Sequence, residues 1–181
     1  VLAEAQALGY AEADPAFDVE GIDAAHKLVI LASLAFGIPL QFDAVYTEGI
    51  TELTTQDVAY ARELGYIIKH LGIAKQNGEG VELRVHPTLI PDYLLLADVD
   101  GVKNAILVEG NAVGPTLYYG AGAGAQPTAS AVVADPAPVE VVSSSSLEQP
   151  VAAVVSAASA VATTARRRKA EVWVRIVLSP C

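Results

Sequence analysis

Five carboxylates and one lysine crowd the stretch from Gly9 to Lys27: Glu12, Asp14, Asp18, Glu20 and Asp23 precede Lys27. If a helix begins near Gly21, Asp23 and Lys27 lie four residues apart and share one face. Glu12 and Asp18 then fall in the loop that leads into that helix. Carboxylates converging on one lysine can bind the ammonium and hydroxyl of an amino acid. They also hold the lysine where it can pass a proton. The same residues equally describe an i,i+4 ion pair, worth about 0.3–0.5 kcal/mol at a surface, beside a solvated acidic loop.

The other chemically capable residues are less organised. His26 adjoins Lys27 but points about 100° away on a helix, which makes it a surface residue. His70 and His86 stand in apolar runs with no partner at metal-ligand spacing, and both read as structural. The alternating run Gly120-Ala121-Gly122-Ala123-Gly124 lets backbone amides approach a phosphate or a ring closely. It lacks the G-x-G-x-x-G spacing of a dinucleotide loop, and a tight turn before a close-packed helix explains it equally well. The one cysteine, Cys181, cannot form an internal disulfide, and no Cys/His pattern suggests a metal. A cytoplasmic protein is expected.

These residues need elements to position them. Residues 1–8 suit the end of a helix stopped by Gly9, and residues 10–20 read as a loop around Asp14-Pro15. From Gly21 to Phe36 the apolar run is too long for a strand and predicts a largely buried helix, ended by Gly37-Ile38-Pro39. Thr54 and Asp57 form a capping-box pattern that opens a short helix stopping at Gly65. Residues 66–75 and 81–89 flank Asn77-Gly78, a hairpin signal. Residues 103–109 and 114–119 suggest a second hairpin around Gly110-Asn111. Pro127 opens a further helix. This order predicts an α+β domain with a mainly antiparallel sheet and helices packed on one side.

Composition changes near Asp135-Pro136. Residues 1–135 carry a net charge of −12, whereas residues 136–181 carry +2. The latter hold Ser143–Ser146, an Ala/Val/Ser/Thr stretch at 151–165, and Arg166-Arg167-Arg168-Lys169. The 15-residue stretch is too short and too polar to span a membrane, so 136–181 is expected to be a low-complexity, disordered tail. The acidic total of −10 argues against a nucleic-acid partner. The first residues read as mid-helix without a signal peptide, so the true N-terminus is expected upstream.

Taken together, the spaced residues resemble the homoserine dehydrogenase family. Ala5, Gly9-Tyr10, Asp14-Pro15, Asp18-Val19, Gly21, Asp23 and Lys27 fall at the family's spacings. The likeness continues through Gly49-Ile50, Gly65-Tyr66, Arg84 to Pro91, Asn104-Ala105 and Tyr119 to Gly124, and then Pro127-Thr128 to Asp135, covering residues 1–135. The resemblance implies the catalytic domain of a two-domain dehydrogenase. Such an enzyme interconverts L-homoserine and L-aspartate 4-semialdehyde with NADP or NAD, in threonine, methionine and isoleucine synthesis. It implies that Lys27 is the proton donor, that Glu12 and Asp23 contact substrate with Asp18 in the same acidic cluster, and that Gly9 and Gly124 lie where backbone approaches the cofactor. It also implies a homodimer built on this domain. The family's Rossmann half, with its phosphate loop and a second lysine, has no counterpart in this sequence. A module that only oligomerises is the alternative, but it would have no need of Glu12, Asp18, Asp23 and Lys27 together.

Overall fold

The computed structural model describes residues 15–78, 80–101, 103–110, 113–122 and 173–178, with Gln126, Ala129, Ser130 and Val133. The elements run α1 (Ala16–Val19), α2 (Ile22–Phe36), a 3-10 turn (Phe42–Ala44), β1 (Tyr46–Thr47), α3 (Thr55–Glu63), β2 (Tyr66–Asn77) and β3 (Gly80–Pro91). A second 3-10 turn (Leu95–Asp98), β4 (Lys103–Gly110), β5 (Gly114–Ala121) and β6 (Trp173–Leu178) follow. The six strands form one sheet in the order β1-β3-β2-β6-β4-β5, antiparallel at every junction except β1 with β3. The mainly antiparallel α+β architecture expected from the sequence is the one observed.

Both hairpins form, and each strand runs further than expected. Asn77 pairs with Gly80 and Gly110 with Gly114. Gly78 and Gly114 adopt positive φ at these turns. The capping box at α3 closes in both directions: the Asp57 amide donates to the Thr54 hydroxyl, and the Thr54 amide donates to the Asp57 carboxylate. The Thr54 hydroxyl and amide together hold the Asp57 carboxyl below its ordinary range.

Helix α2 is the structural centre. Leu28, Val29, Leu31 and Ala32 are wholly buried, and each leucine so buried contributes about 1.5–3 kcal/mol. The helix lies on the sheet face that carries Ala74, Val85, Ile106 and Val108. Small residues Ala24, Ala25 and Ala35 let it approach closely, and Leu28 rests on Gly72 of β2. On the opposite face Leu71, Ile73, Ile90 and Ala105 pack beneath Leu96, Ala97 and Val99 at the second 3-10 turn. Lys69 ties that turn to β2: its ammonium donates to the Val99 carbonyl and meets the Asp100 carboxylate at 2.7 Å. With both faces covered, Lys69 through Ala74 are buried without interruption.

Two expectations are corrected, and one element is new. The presumed loop at 10–20 contains a helical turn, α1, which Pro15 opens and whose chain then reverses through Gly21 at φ 79°. The two-residue strand β1 adds a parallel partner to β3 that no periodicity announced. The presumed disordered tail includes β6, which sits between β2 and β4 and joins the two hairpins into one sheet. Its run Trp173-Val174-Arg175-Ile176-Val177-Leu178 is rich in β-branched residues, but the neighbouring low-complexity composition hides it. The expected helix at 1–8 and the rest of 136–181 lie outside the described residues. Gln126, Ala129, Ser130 and Val133 are helical, and the expected helix start at Pro127 lies outside the described residues.

Candidate active site

The turn between α1 and α2 sets the geometry. Gly21 caps α2 in the left-handed region. A Cβ there would lie 2.6 Å from His70 Cε1 and 3.1 Å from Val85 Cγ1, so no other residue fits without displacing the ring or the strand. Asp23 follows in the first helical turn, where a carboxylate complements the helix dipole. One turn later the Lys27 ammonium meets Asp23 Oδ2 at 2.5 Å. The side chains are 11% and 17% exposed, so this pair is not the solvated surface bridge that spacing alone allows. An ammonium shielded from water and oriented by a carboxylate has two further N–H donors to offer a substrate oxygen.

Asp18 lies near the end of α1, half-buried, and its carbonyl accepts from the Gly21 amide at 3.2 Å. The structure therefore brings Asp23 and Lys27 into contact and places Asp18 on the turn that feeds their helix. Glu12, Gly9 and Gly124 lie outside the described residues. His26 is half-buried rather than simply on the surface. It packs edge-on between Phe17, at 5.4 Å, and Phe42, at 4.7 Å.

A second layer, unseen in the sequence, braces this turn. The Glu48 amide donates to the Val85 carbonyl and the Ile50 amide to the Val19 carbonyl, each at 2.8 Å. Between them a Cβ on Gly49 would lie 2.7 Å from the Val19 oxygen and 2.8 Å from Glu20 Cα; only a glycine lets the two segments touch. His70, 6% exposed, closes the arrangement with its Nε2 2.8 Å from the Glu48 carbonyl oxygen. Only the tertiary fold reveals this contact, because the partners are 22 residues apart.

Burial pushes the His70 imidazole below its ordinary value of 6.5, against the opposing pull of the Glu48 carbonyl; His86 lowers it slightly further. The unfolded chain therefore takes up this proton before the folded one does. Stability is full above pH 6.5 and falls as pH drops from there toward the folded value. Urea unfolding across this range should show that slope, and His70→Gln should flatten it. An unchanged slope would remove His70 as its source.

An open pocket of 440 Å³ lies at the β1–β3 edge, lined by Tyr46, Glu48, Glu82, Leu83, Arg84 and His86. It includes neither Asp23 nor Lys27. Among the described residues no group of His, Cys, Asp and Glu side chains could hold a metal ion, and no helix is long and apolar enough to cross a membrane.

The homoserine dehydrogenase family model matches residues 1–136. A homoserine dehydrogenase of Pseudomonas aeruginosa is 74% identical over 135 residues, covering 75% of this chain and 31% of that protein. One of Neisseria gonorrhoeae is 66% identical over the same length and coverage. Among solved structures, a homoserine dehydrogenase from Thiobacillus denitrificans matches with a TM-score of 0.70 at 71% identity, covering 74% of this chain and 31% of that one. The S. aureus homoserine dehydrogenase matches with a TM-score of 0.69 at 32% identity, covering 98% of this chain and 52% of that one. The last match extends well past residue 136. The chain spans about a third of the length of the curated relatives it matches.

Proposed function

The chain belongs to the homoserine dehydrogenase family, and from that premise we propose that it forms the substrate-binding part of an enzyme interconverting L-homoserine and L-aspartate 4-semialdehyde. The observation that carries this is the shielded Asp23–Lys27 pair at the start of α2. A surface module would gain little from sequestering it, since desolvating two charges costs more than a surface contact returns.

Lys27 donates a hydrogen bond to the aldehyde oxygen and delivers its proton as negative charge grows there. Asp23 holds the ammonium in place and aims it. Glu12 and Asp18 bind the substrate's ammonium; Asp18 stands near the end of α1, on the turn that leads into α2. In the reverse direction Lys27, deprotonated, takes the hydroxyl proton of homoserine. The nicotinamide cofactor, when bound, supplies or accepts the hydride. The described residues fit the substrate end of that chemistry. Around Gly120 no atom of the described residues lies within 4 Å of where a Cβ would be. Nothing among the described residues forms a pyrophosphate cradle, and choice between NADP and NAD belongs to a dinucleotide-binding half. A homodimer acting in cytoplasmic synthesis of threonine, methionine and isoleucine completes the proposal.

The test is a complete enzyme in which residues 1–135 replace the matching segment of the Pseudomonas aeruginosa relative. It should reduce NADP or NAD in the presence of homoserine, whereas the 181-residue chain alone should show no turnover. A folded, cofactor-binding hybrid without homoserine-dependent turnover would overturn the proposal.

A further inference from the structure

We propose that His70 is a positioning residue for this reaction: its ring sets Gly21 and the Glu48 carbonyl, and so fixes the two segments that carry Asp18 and the Asp23–Lys27 pair. This role rests on the function proposed above.

Two routes lead from the ring to the site. The first is direct contact. Gly21 sits so close over His70 that a Cβ would lie 2.6 Å from Cε1, and Asp23 is two residues further along the same chain. The second runs through a hydrogen bond. A carbonyl can only accept, so Nε2 carries the proton that it donates to Glu48. Glu48 begins the short segment whose Ile50 amide holds the Val19 carbonyl, and Val19 follows Asp18. The ring thus braces the acidic turn and the helix start from one buried point on β2. An apolar side chain of similar size would fill the space but leave the Glu48 carbonyl unpaired. The chemistry needs both segments in register, because a misplacement of about 1 Å at a reacting group costs up to about 100-fold in rate.

The hybrid enzyme described above provides the test. His70→Phe keeps a ring and removes the donor; it should lower kcat about 10–100-fold and leave the KM for the nicotinamide cofactor unchanged. His70→Gln, which keeps a donor toward Glu48, should retain kcat within about threefold of the parent. A purely structural role would lower the folded fraction but not kcat per folded site. It would also act independently of Lys27. A positioning role instead gives non-additivity: in a Lys27→Ala background, His70→Phe should cost less than about threefold more.

A normal kcat in His70→Phe beside an active parent would overturn the role alone, as would a full further loss in the Lys27→Ala background. An inactive parent would overturn the proposed function and the role with it. Should His70→Phe fail to fold, His70→Asn takes its place. Its shorter amide does not reach the Glu48 carbonyl, so kcat should fall in His70→Asn and persist in His70→Gln; equal values would overturn the role.

Discussion

Replacing Lys27 by Ala in the complete hybrid enzyme should lower kcat for homoserine oxidation by about 10²–10⁴-fold, the range of a general acid or base. KM for homoserine should change far less, because the interaction strengthens as charge develops on the oxygen. The variant should fold, since α2 is anchored by Leu28, Val29 and Leu31, all at 0% exposure, and not by the ion pair. Asp23→Ala should be harsher on stability: it leaves a largely buried ammonium without its carboxylate. A Lys27→Ala enzyme with near-normal kcat would return the pair to a purely structural ion pair.

Gly21→Val should destabilise the fold by roughly 2–5 kcal/mol, combining left-handed backbone strain with overpacking. The overpacking follows from the 2.6 Å approach to His70 and 3.1 Å to Val85. Gly37 is a control, with a φ of 69° but no atom of the described residues within 4 Å of where its Cβ would stand. Gly37→Val should therefore lose only the strain, about 1–2 kcal/mol. Urea unfolding of both variants separates the two contributions. Equal losses at the two glycines would mean that the His70 contact carries no energy.

Local signals in the sequence were enough for the elements that bury α2 and form the hairpins. The run from Gly21 to Phe36 became a helix because its apolar residues recur on the buried face and Gly37 can take the left-handed cap. Thr54 and Asp57 marked the α3 start because a capping box is local chemistry. Asp23 and Lys27 met because helix geometry alone brings i and i+4 together. Long-range contacts were not legible. A lysine in a strand normally faces water, yet Lys69 is buried by a partner 31 residues away. His70 and Gly49 gain their roles from the 48–50 segment crossing the α1–α2 turn, which no periodicity encodes. The strand β6 was hidden because its six residues, four of them β-prone, follow a long small-residue stretch and a basic run, and only pairing with β2 and β4 fixes them.

Proton transfer through Lys27 is the step on which the proposed function depends, and a single-turnover experiment isolates it from product release. The hybrid enzyme, saturated with reduced nicotinamide cofactor, is mixed with L-aspartate 4-semialdehyde and the loss of reduced-nicotinamide absorbance is followed. Enzyme carrying Lys27 should consume the cofactor in a fast first turnover, and Lys27→Ala should do so about 10²–10⁴-fold more slowly at unchanged cofactor affinity. Equal first-turnover rates in the two enzymes would contradict a proton-donor role for Lys27.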